Sequence, residues 1–375
     1  MFAEKRVTND RRNQPSKHAR LFLAILVTGG AGYIGSHAAR ALRRSGYEVV
    51  LYDNLSTGFR RLAQGFELVE GDIADQSTLW PVLARVDAVM HFAAHAYVGE
   101  SVTDPRKYFR NNVAAALSLL NSALDAGIRR FVFSSSCAVY GIPEKVPITE
   151  QTPRQPVNPY GATKLFFENA LEAYGRAYGL RSFALRYFNA AGADVHRDDH
   201  RDDNTADNKN NSGAIGEMHS PETHLIPLAL AASTANGPEL QIYGSDYATP
   251  DGTCIRDYIH VNDLADAHVR ALQYLETQPQ KRSTAEDVCN SLAINLGTGQ
   301  GHSVLEVIQA AENATGRPVR RKTTPRRPGD PPILVANPAK AQRILQWAAQ
   351  RNLADIVTSA WAWMQLSHQM SWIAS

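Results

Sequence analysis

Tyr160 and Lys164 lie four residues apart in the run Asn158-Pro159-Tyr160-Gly161-Ala162-Thr163-Lys164. That spacing puts two side chains on one face of a helix, and Pro159 suits its first turn. A lysine ammonium beside a phenol favours the phenolate and is expected to lower the tyrosine pKa. Such a tyrosine can take the proton of an alcohol while hydride leaves the same carbon. Alone, the Tyr-x-x-x-Lys spacing is common on helix surfaces. Here it follows Phe133-Ser134-Ser135-Ser136 at the end of an apolar run, where a serine hydroxyl can hold the reacting oxygen.

Hydride chemistry needs a carrier, and a second motif supplies a place for one. Gly29, Gly32 and Gly35 recur at three-residue spacing in Gly29-Gly30-Ala31-Gly32-Tyr33-Ile34-Gly35, between an apolar run and a helical pattern. Glycines there let the backbone turn tightly and approach a pyrophosphate, whose charge sits at the positive end of the helix. Asp53, 18 residues beyond Gly35, ends the next apolar run. A carboxylate at that point can accept the hydroxyls of an adenosine ribose and would repel a 2′-phosphate, which favours NAD over NADP. Asp72, in Gly71-Asp72-Ile73, reads equally as an adenine-side contact or as a helix cap.

The elements that must position these residues can be read from the pattern. Leu21–Val27, Glu48–Tyr52, Glu67–Glu70, Ala88–Phe92 and Arg130–Ser134 read as buried strands. Ser36–Ser45, Ser77–Ala84 and Tyr108–Ala126 show helical spacing between them. This alternation predicts an α/β fold: a Rossmann-type, doubly wound parallel sheet, with a smaller C-terminal α/β substrate lobe. Leu180–Arg186 and Leu292–Leu296 read as later strands and Ser303–Thr315 as a late helix. The expected organisation is a disordered tail over 1–20, an NAD-binding domain over 21–190 joined by elements from about 245–315, and a substrate lobe mainly over 191–375.

Composition narrows the function classes. The 375 residues are 44% hydrophobic and 20% charged with a net charge of +2, which points to neither a nucleic-acid nor a membrane surface. No apolar stretch approaches the roughly 20 residues that a membrane helix needs. Leu21–Val27 is a first strand rather than a signal core, because it runs straight into Thr28-Gly29 without a cleavage site. Cys137, Cys254 and Cys289 are scattered, which suits a reducing, cytoplasmic setting and argues against structural zinc. The His- and Asp-rich stretch 194–213 reads as a polar surface insertion, 277–290 as a shorter one, and no metal centre is expected.

The chain resembles the extended short-chain dehydrogenase/reductases, and within them the UDP-glucose (UDP-galactose) 4-epimerases. The resemblance runs from about Leu21 to Trp363 and rests on GGAGYIGSH at 29–37, DNLSTG at 53–58, VGESV at 98–102, NNV at 111–113, NPYGATK at 158–164, RYFNAAGA at 186–193, GTCIRDYIHVNDLADAHV at 252–269 and PRRPGD at 325–330. It implies Ser136, Tyr160 and Lys164 as the catalytic set. Around NAD it implies Tyr33, Ile34, Asp53, Asn54, Asp72, Ile73, Phe92, Asn111, Lys164 and Tyr187, with the glycines. For the UDP-sugar it implies Asn189, His224, Leu225, Tyr243, Arg256, Arg327 and Asp330, besides Ser136 and Tyr160. Two arginines suit a diphosphate, an aromatic suits uracil and a carboxylate suits ribose hydroxyls. Arg256 could instead pair with Asp257 or Asp263, and Arg327 could belong to a solvated basic run. The resemblance also implies a homodimer, with the helix after Asn111 and the Tyr160 helix packing across a two-fold axis.

Three positions depart from the family pattern. Ala96 stands where members often carry a lysine, so that contact is not carried over. His224 replaces an asparagine before Leu225, and Leu334 stands where a large residue limits C2 substituents in some epimerases. Leu334 leaves the sugar open. The resemblance implies transient oxidation of a UDP-hexose at C4, and a pentose epimerase acting on UDP-xylose and UDP-arabinose is the alternative. A 4,6-dehydratase would need an Asp-Glu pair after the strand-end hydroxyl, where this chain has Cys137 and Ala138. A non-catalytic NAD-binding protein would typically lack the tyrosine or the lysine.

Overall fold

A computed structural model of the chain describes residues 23–195, 213–277, 290–327 and 329–369. The expected tail over 1–20 and most of the two polar insertions lie outside the described residues.

Seven parallel strands form the central sheet. They are β1 (Ala24–Thr28), β2 (Glu48–Asp53), β3 (Glu67–Glu70), β4 (Ala88–His91), β5 (Arg130–Ser136), β6 (Arg181–Tyr187) and the strand Ser291–Leu296. From one edge the order is β3-β2-β1-β4-β5-β6 and then Ser291–Leu296. The order reverses at β1, so the ends of β1 and β4 splay their loops apart and leave a crevice, the place where α/β sheets bind ligands.

All five residues of β1 are buried, as a strand covered on both faces requires. Ile25 and Val27 pack with Leu51, Phe183, Leu264 and Leu272 on one face. Leu26, pointing the other way, packs with Leu119, Phe131, Phe167 and Leu171. A third apolar cluster, including Ile226, Leu240, Ile242, Val307 and Ile356, builds the smaller layer beyond the strand ends.

Strand and helix positions agree with the sequence reading within a few residues. Two differences matter for the site. The first helix spans Tyr33–Arg44, starting three residues earlier than its apolar pattern, because Gly32 in extended backbone is its N-cap. The helix expected over Tyr108–Ala126 is interrupted: Pro105–Phe109 is followed by a π-helical turn over Arg110–Ala115 and then by Ala116–Asp125. Extra-residue turns of this kind break the regular spacing of the pattern and often sit at functional sites. Among the described residues, no helix is long and apolar enough to cross a membrane.

Candidate active site

The cofactor end is built first by a tight glycine turn. Gly29 has φ +72°, and a Cβ there would lie 2.5 Å from the Ala93 nitrogen. A Cβ on Gly35 would lie 2.2 Å from the Gly29 oxygen, so helix and loop can close only without side chains. The Tyr33–Arg44 helix has no side-chain cap and no acidic residue in its first turn. Its first N–H groups are thus available to an anion. Asp53 is clamped beside the turn, its oxygens accepting from Ala31 N at 2.9 Å and Leu55 N at 2.8 Å. Burial raises its carboxyl above the ordinary range, and those two amides pull it back.

The Tyr160 helix spans Pro159–Tyr178. Asn158 caps it by accepting from Gly161 N at 2.8 Å, and Gly179 ends it at φ +67°. Lys164 Nζ donates to the Ser134 carbonyl at 2.7 Å and lies 5.7 Å from the centre of the Tyr160 ring. Ser134 Oγ in turn meets the Tyr187 hydroxyl. Below them Glu168 receives Arg186 Nε at 2.9 Å and Nη2 at 2.5 Å, with both side chains 2% exposed.

The electrostatics differ from the sequence expectation. Burial pushes the Tyr160 phenol up to about 12, partly offset by its hydrogen bond with Ser136. Burial also pushes Lys164 down to about 7, with Glu168 opposing. The lysine is spent on a carbonyl rather than on the phenol, so the protein alone does not activate this tyrosine. Desolvation outweighs the ammonium here.

One cavity gathers most of the expected residues. Gly29, Gly32, Tyr33, Ile34, Gly35, Asp53, Asn54, Ile73, Phe92, Asn111, Ser136, Tyr160, Lys164, Tyr187, Asn189 and His224 all line it. Asp72 does not; its side chain accepts from Asn54 Nδ2 at 3.0 Å and from Ala74 N at 2.9 Å, closing the turn after β3. Leu225 opens the following helix, behind its N-cap His224.

Tyr243, Arg256, Arg327 and Asp330 form a separate cluster. The Arg327 guanidinium lies 3.8 Å over the Tyr243 ring, and Arg256 pairs with Asp330. Neither alternative partner takes Arg256. Asp257 is occupied by the Thr298, Gly299 and Ala336 amides, and Asp263 by Arg351. Arg327 is exposed and stacks on the half-exposed Tyr243 ring.

Residues 25–285 match the model of the NAD dependent epimerase/dehydratase family. The UDP-glucose 4-epimerase of Rhizobium meliloti is 48% identical over 347 residues, 92% of this chain and 98% of that protein. This chain belongs to that family, among its UDP-glucose 4-epimerases. The structure of the UDP-glucose 4-epimerase from Brucella ovis in complex with NAD is 47% identical and covers 91% of this chain and 98% of its own, with a TM-score of 0.80. A UDP-glucose-4-epimerase from Stenotrophomonas maltophila, with bound NAD and formylated UDP-arabinopyranose, is 39% identical and covers 93% and 99%, with a TM-score of 0.82.

Within this epimerase site, several side chains escaped the sequence reading. Asn112 in the π-helical turn accepts from His95 N and donates to His95 O, both at 2.9 Å, and so pins the loop after β4. Its neighbour Asn111 drew attention through the Asn-Asn-Val run, but nothing in that run distinguishes the two roles. Glu217 and His219 line the cavity as well. Their signal was present as a doubled Glu-x-His in Glu217-Met218-His219-Ser220-Pro221-Glu222-Thr223-His224, obscured by the polar stretch before it.

Proposed function

We infer that this chain catalyses reversible 4-epimerisation of a UDP-hexose, UDP-glucose to UDP-galactose, with tightly bound NAD. The observation that carries this reading is the meeting of Ser136, Tyr160 and Lys164 with the glycine turn and Asp53 in one cavity.

The residues suit the cofactor. The turn at Gly29 and Gly35 leaves room for a pyrophosphate, the uncapped helix faces it, and Asp53 is positioned for a ribose. Asn54, Ile73, Phe92, Asn111 and Tyr187 line the rest of its bed. Bound NAD would supply the hydride acceptor and donor for sugar C4, and its cationic ring would favour the phenolate.

Tyr160 takes the 4-OH proton and gives it back after the sugar has turned. Ser136 holds the same oxygen through its hydroxyl. Lys164, fixed by Ser134, lies beside the Tyr160 ring, where its protonated form adds positive charge. In this reading the cluster of Tyr243, Arg256, Arg327 and Asp330 grips UDP, while Asn189, His224 and Leu225 edge the sugar. Leu334 leaves the choice of sugar open, and a UDP-pentose is the second substrate to test. In this division residues 21–190, with elements from about 245–315, hold NAD, and 191–375 mainly hold the sugar nucleotide.

Purified protein incubated with UDP-galactose and no added NAD is expected to yield UDP-glucose. Accumulation of a free keto or deoxy-keto product would mean that epimerisation is the wrong reaction. UDP-xylose and UDP-N-acetylgalactosamine, run separately, decide the sugar.

We also propose a cytoplasmic homodimer. Phe109 and Phe166, 43% and 48% exposed, sit on the helices that border the Asn111 turn and the Tyr160 site. Sedimentation of wild type and Phe166→Glu tests it, the variant being expected to run as the monomer.

A further inference from the structure

Four side chains from the doubled Glu-x-His run converge at the rim of the cavity. Glu217, His219, Glu222 and His224 each bring one donor atom to within 4.8 Å of all the others. The Glu217 carboxylate oxygen Oε1 is 3.1 Å from His219 Nδ1 and 2.7 Å from His224 Nδ1. Glu222 reaches the same two nitrogens at 3.7 Å and 3.2 Å. Zinc bonds to imidazole nitrogen and carboxylate oxygen of about 2.0–2.1 Å set tetrahedral donor–donor edges of about 3.4 Å. The separations of 2.7–3.7 Å, those of Glu222 measured to its two different oxygens, lie around that edge.

A second observation points the same way. Glu217 is 7% exposed in its side chain, and its Oε1, like His219 Nδ1, is buried without a hydrogen bond of proper geometry. Buried polar atoms are almost always satisfied. The two lie 3.1 Å apart without hydrogen-bond alignment between them.

The backbone holds the run in place at both ends. Glu217 follows the short strand Ile215–Gly216, and its carbonyl accepts from Trp363 Nε1 at 2.9 Å. His224 caps the helix Leu225–Ala232. Ligands fixed by secondary structure on either side lose little freedom when a cation binds.

We propose that Glu217, His219, Glu222 and His224 form a binding site for one divalent transition-metal ion of the zinc class. Two imidazoles and two carboxylates suit zinc or cobalt far better than magnesium or calcium, which take oxygen ligands. The His219 ring packs edge-on against Tyr33 and Tyr97, with ring centres 6.2 Å and 6.0 Å apart. A bound ion thus fastens the 217–224 run beside the glycine turn. The site shares His224 and the cavity wall with the epimerase reading, and its test needs no turnover.

Full-length, NAD-containing protein is stripped with a chelator, titrated with zinc chloride against a chromophoric competitor, and assayed for metal after gel filtration. One zinc per chain is expected. Cobalt chloride in its place is expected to give the intense visible bands of tetrahedral Co2+. Glu217→Gln and His219→Ala are each expected to weaken zinc at least tenfold, whereas His196→Ala/His200→Ala, in the His- and Asp-rich stretch, leaves affinity unchanged. The wild-type cobalt spectrum decides the matter even if a variant fails to fold. Loss of zinc on gel filtration, a weak octahedral cobalt spectrum, or equal affinity in Glu217→Gln and His219→Ala overturns the proposal.

Discussion

Glu168 lies one helical turn below Lys164 and receives two hydrogen bonds from Arg186 on β6, at 2.9 Å and 2.5 Å, with both side chains buried. Ser135 Oγ also donates to Glu168, and Arg186 Nη1 donates to the Tyr140 hydroxyl at 2.8 Å. Helix and sheet are thus locked together directly under the reactive pair, and the reach of Tyr160 is set from behind. Removing one partner of such a buried pair costs about 3–5 kcal/mol, because the other is left as an uncompensated charge. Glu168→Leu is expected to lower the melting temperature sharply, and Glu168→Leu/Arg186→Met to recover part of the loss. Equal melting of the single and double variants would show that the pair does not couple.

Tyr160→Phe keeps the ring and removes the proton carrier. It is expected to lower kcat by about 100- to 10,000-fold, the usual worth of a positioned acid–base group. Retained NAD, measured by absorbance after gel filtration, should stay at the wild-type level. Turnover within a few-fold of wild type would assign the proton step elsewhere.

Lys164 gives a pH signature of stability. Its folded-state pKa of about 7 lies below that of a free lysine, so between pH 7 and 10 the unfolded chain holds the extra proton. The wild type therefore gains stability relative to Lys164→Met as pH rises through that window, and loses this relative gain as pH falls toward 7. Above pH 10 Tyr160, raised to about 12, works in the opposite sense. Melting of cofactor-free wild type and variant across pH 7 to 10 checks it, and a difference that does not change with pH refutes it.

Gly35→Ala would push a methyl into the Gly29 carbonyl. The turn must open, and co-purified NAD is expected to fall to a small fraction of the wild-type content. Full retention would mean that the loop relaxes without moving its amides.

Asn112→Ala removes the two hydrogen bonds that hold the backbone of His95. Leaving those groups unpaired costs about 1–3 kcal/mol. Faster proteolysis within the loop after β4, with Tyr160 untouched, is the expected result, and unchanged cleavage would count against the role.

Much of this site was legible in the sequence because its chemistry is local. The glycine turn, Asp53 at a strand end and Tyr160 four residues before Lys164 each announce themselves within a few positions. What escaped depends on distant partners. Lys164 looks in the sequence like a neighbour of Tyr160, yet its ammonium is taken by a carbonyl of β5, 30 residues away. Arg256 found Asp330, 74 residues away, rather than the acids beside it. The π-helical turn was invisible because Tyr108–Ala126 keeps an acceptable helical pattern, and the contact made within the turn, Asn112 on the His95 loop, joins residues 17 apart.

The short antiparallel ladder pairs Ala193 with Gly216 and Asp194 with Ile215. The chain therefore departs for residue 196 and returns from residue 212 through adjoining points, already stitched to each other. For a flexible loop, closure entropy grows only slowly with length. That doorway makes the position a natural splice point, where a tag or a reporter domain could be grafted, or the whole excursion cut to a tight hairpin, while the sheet keeps its register.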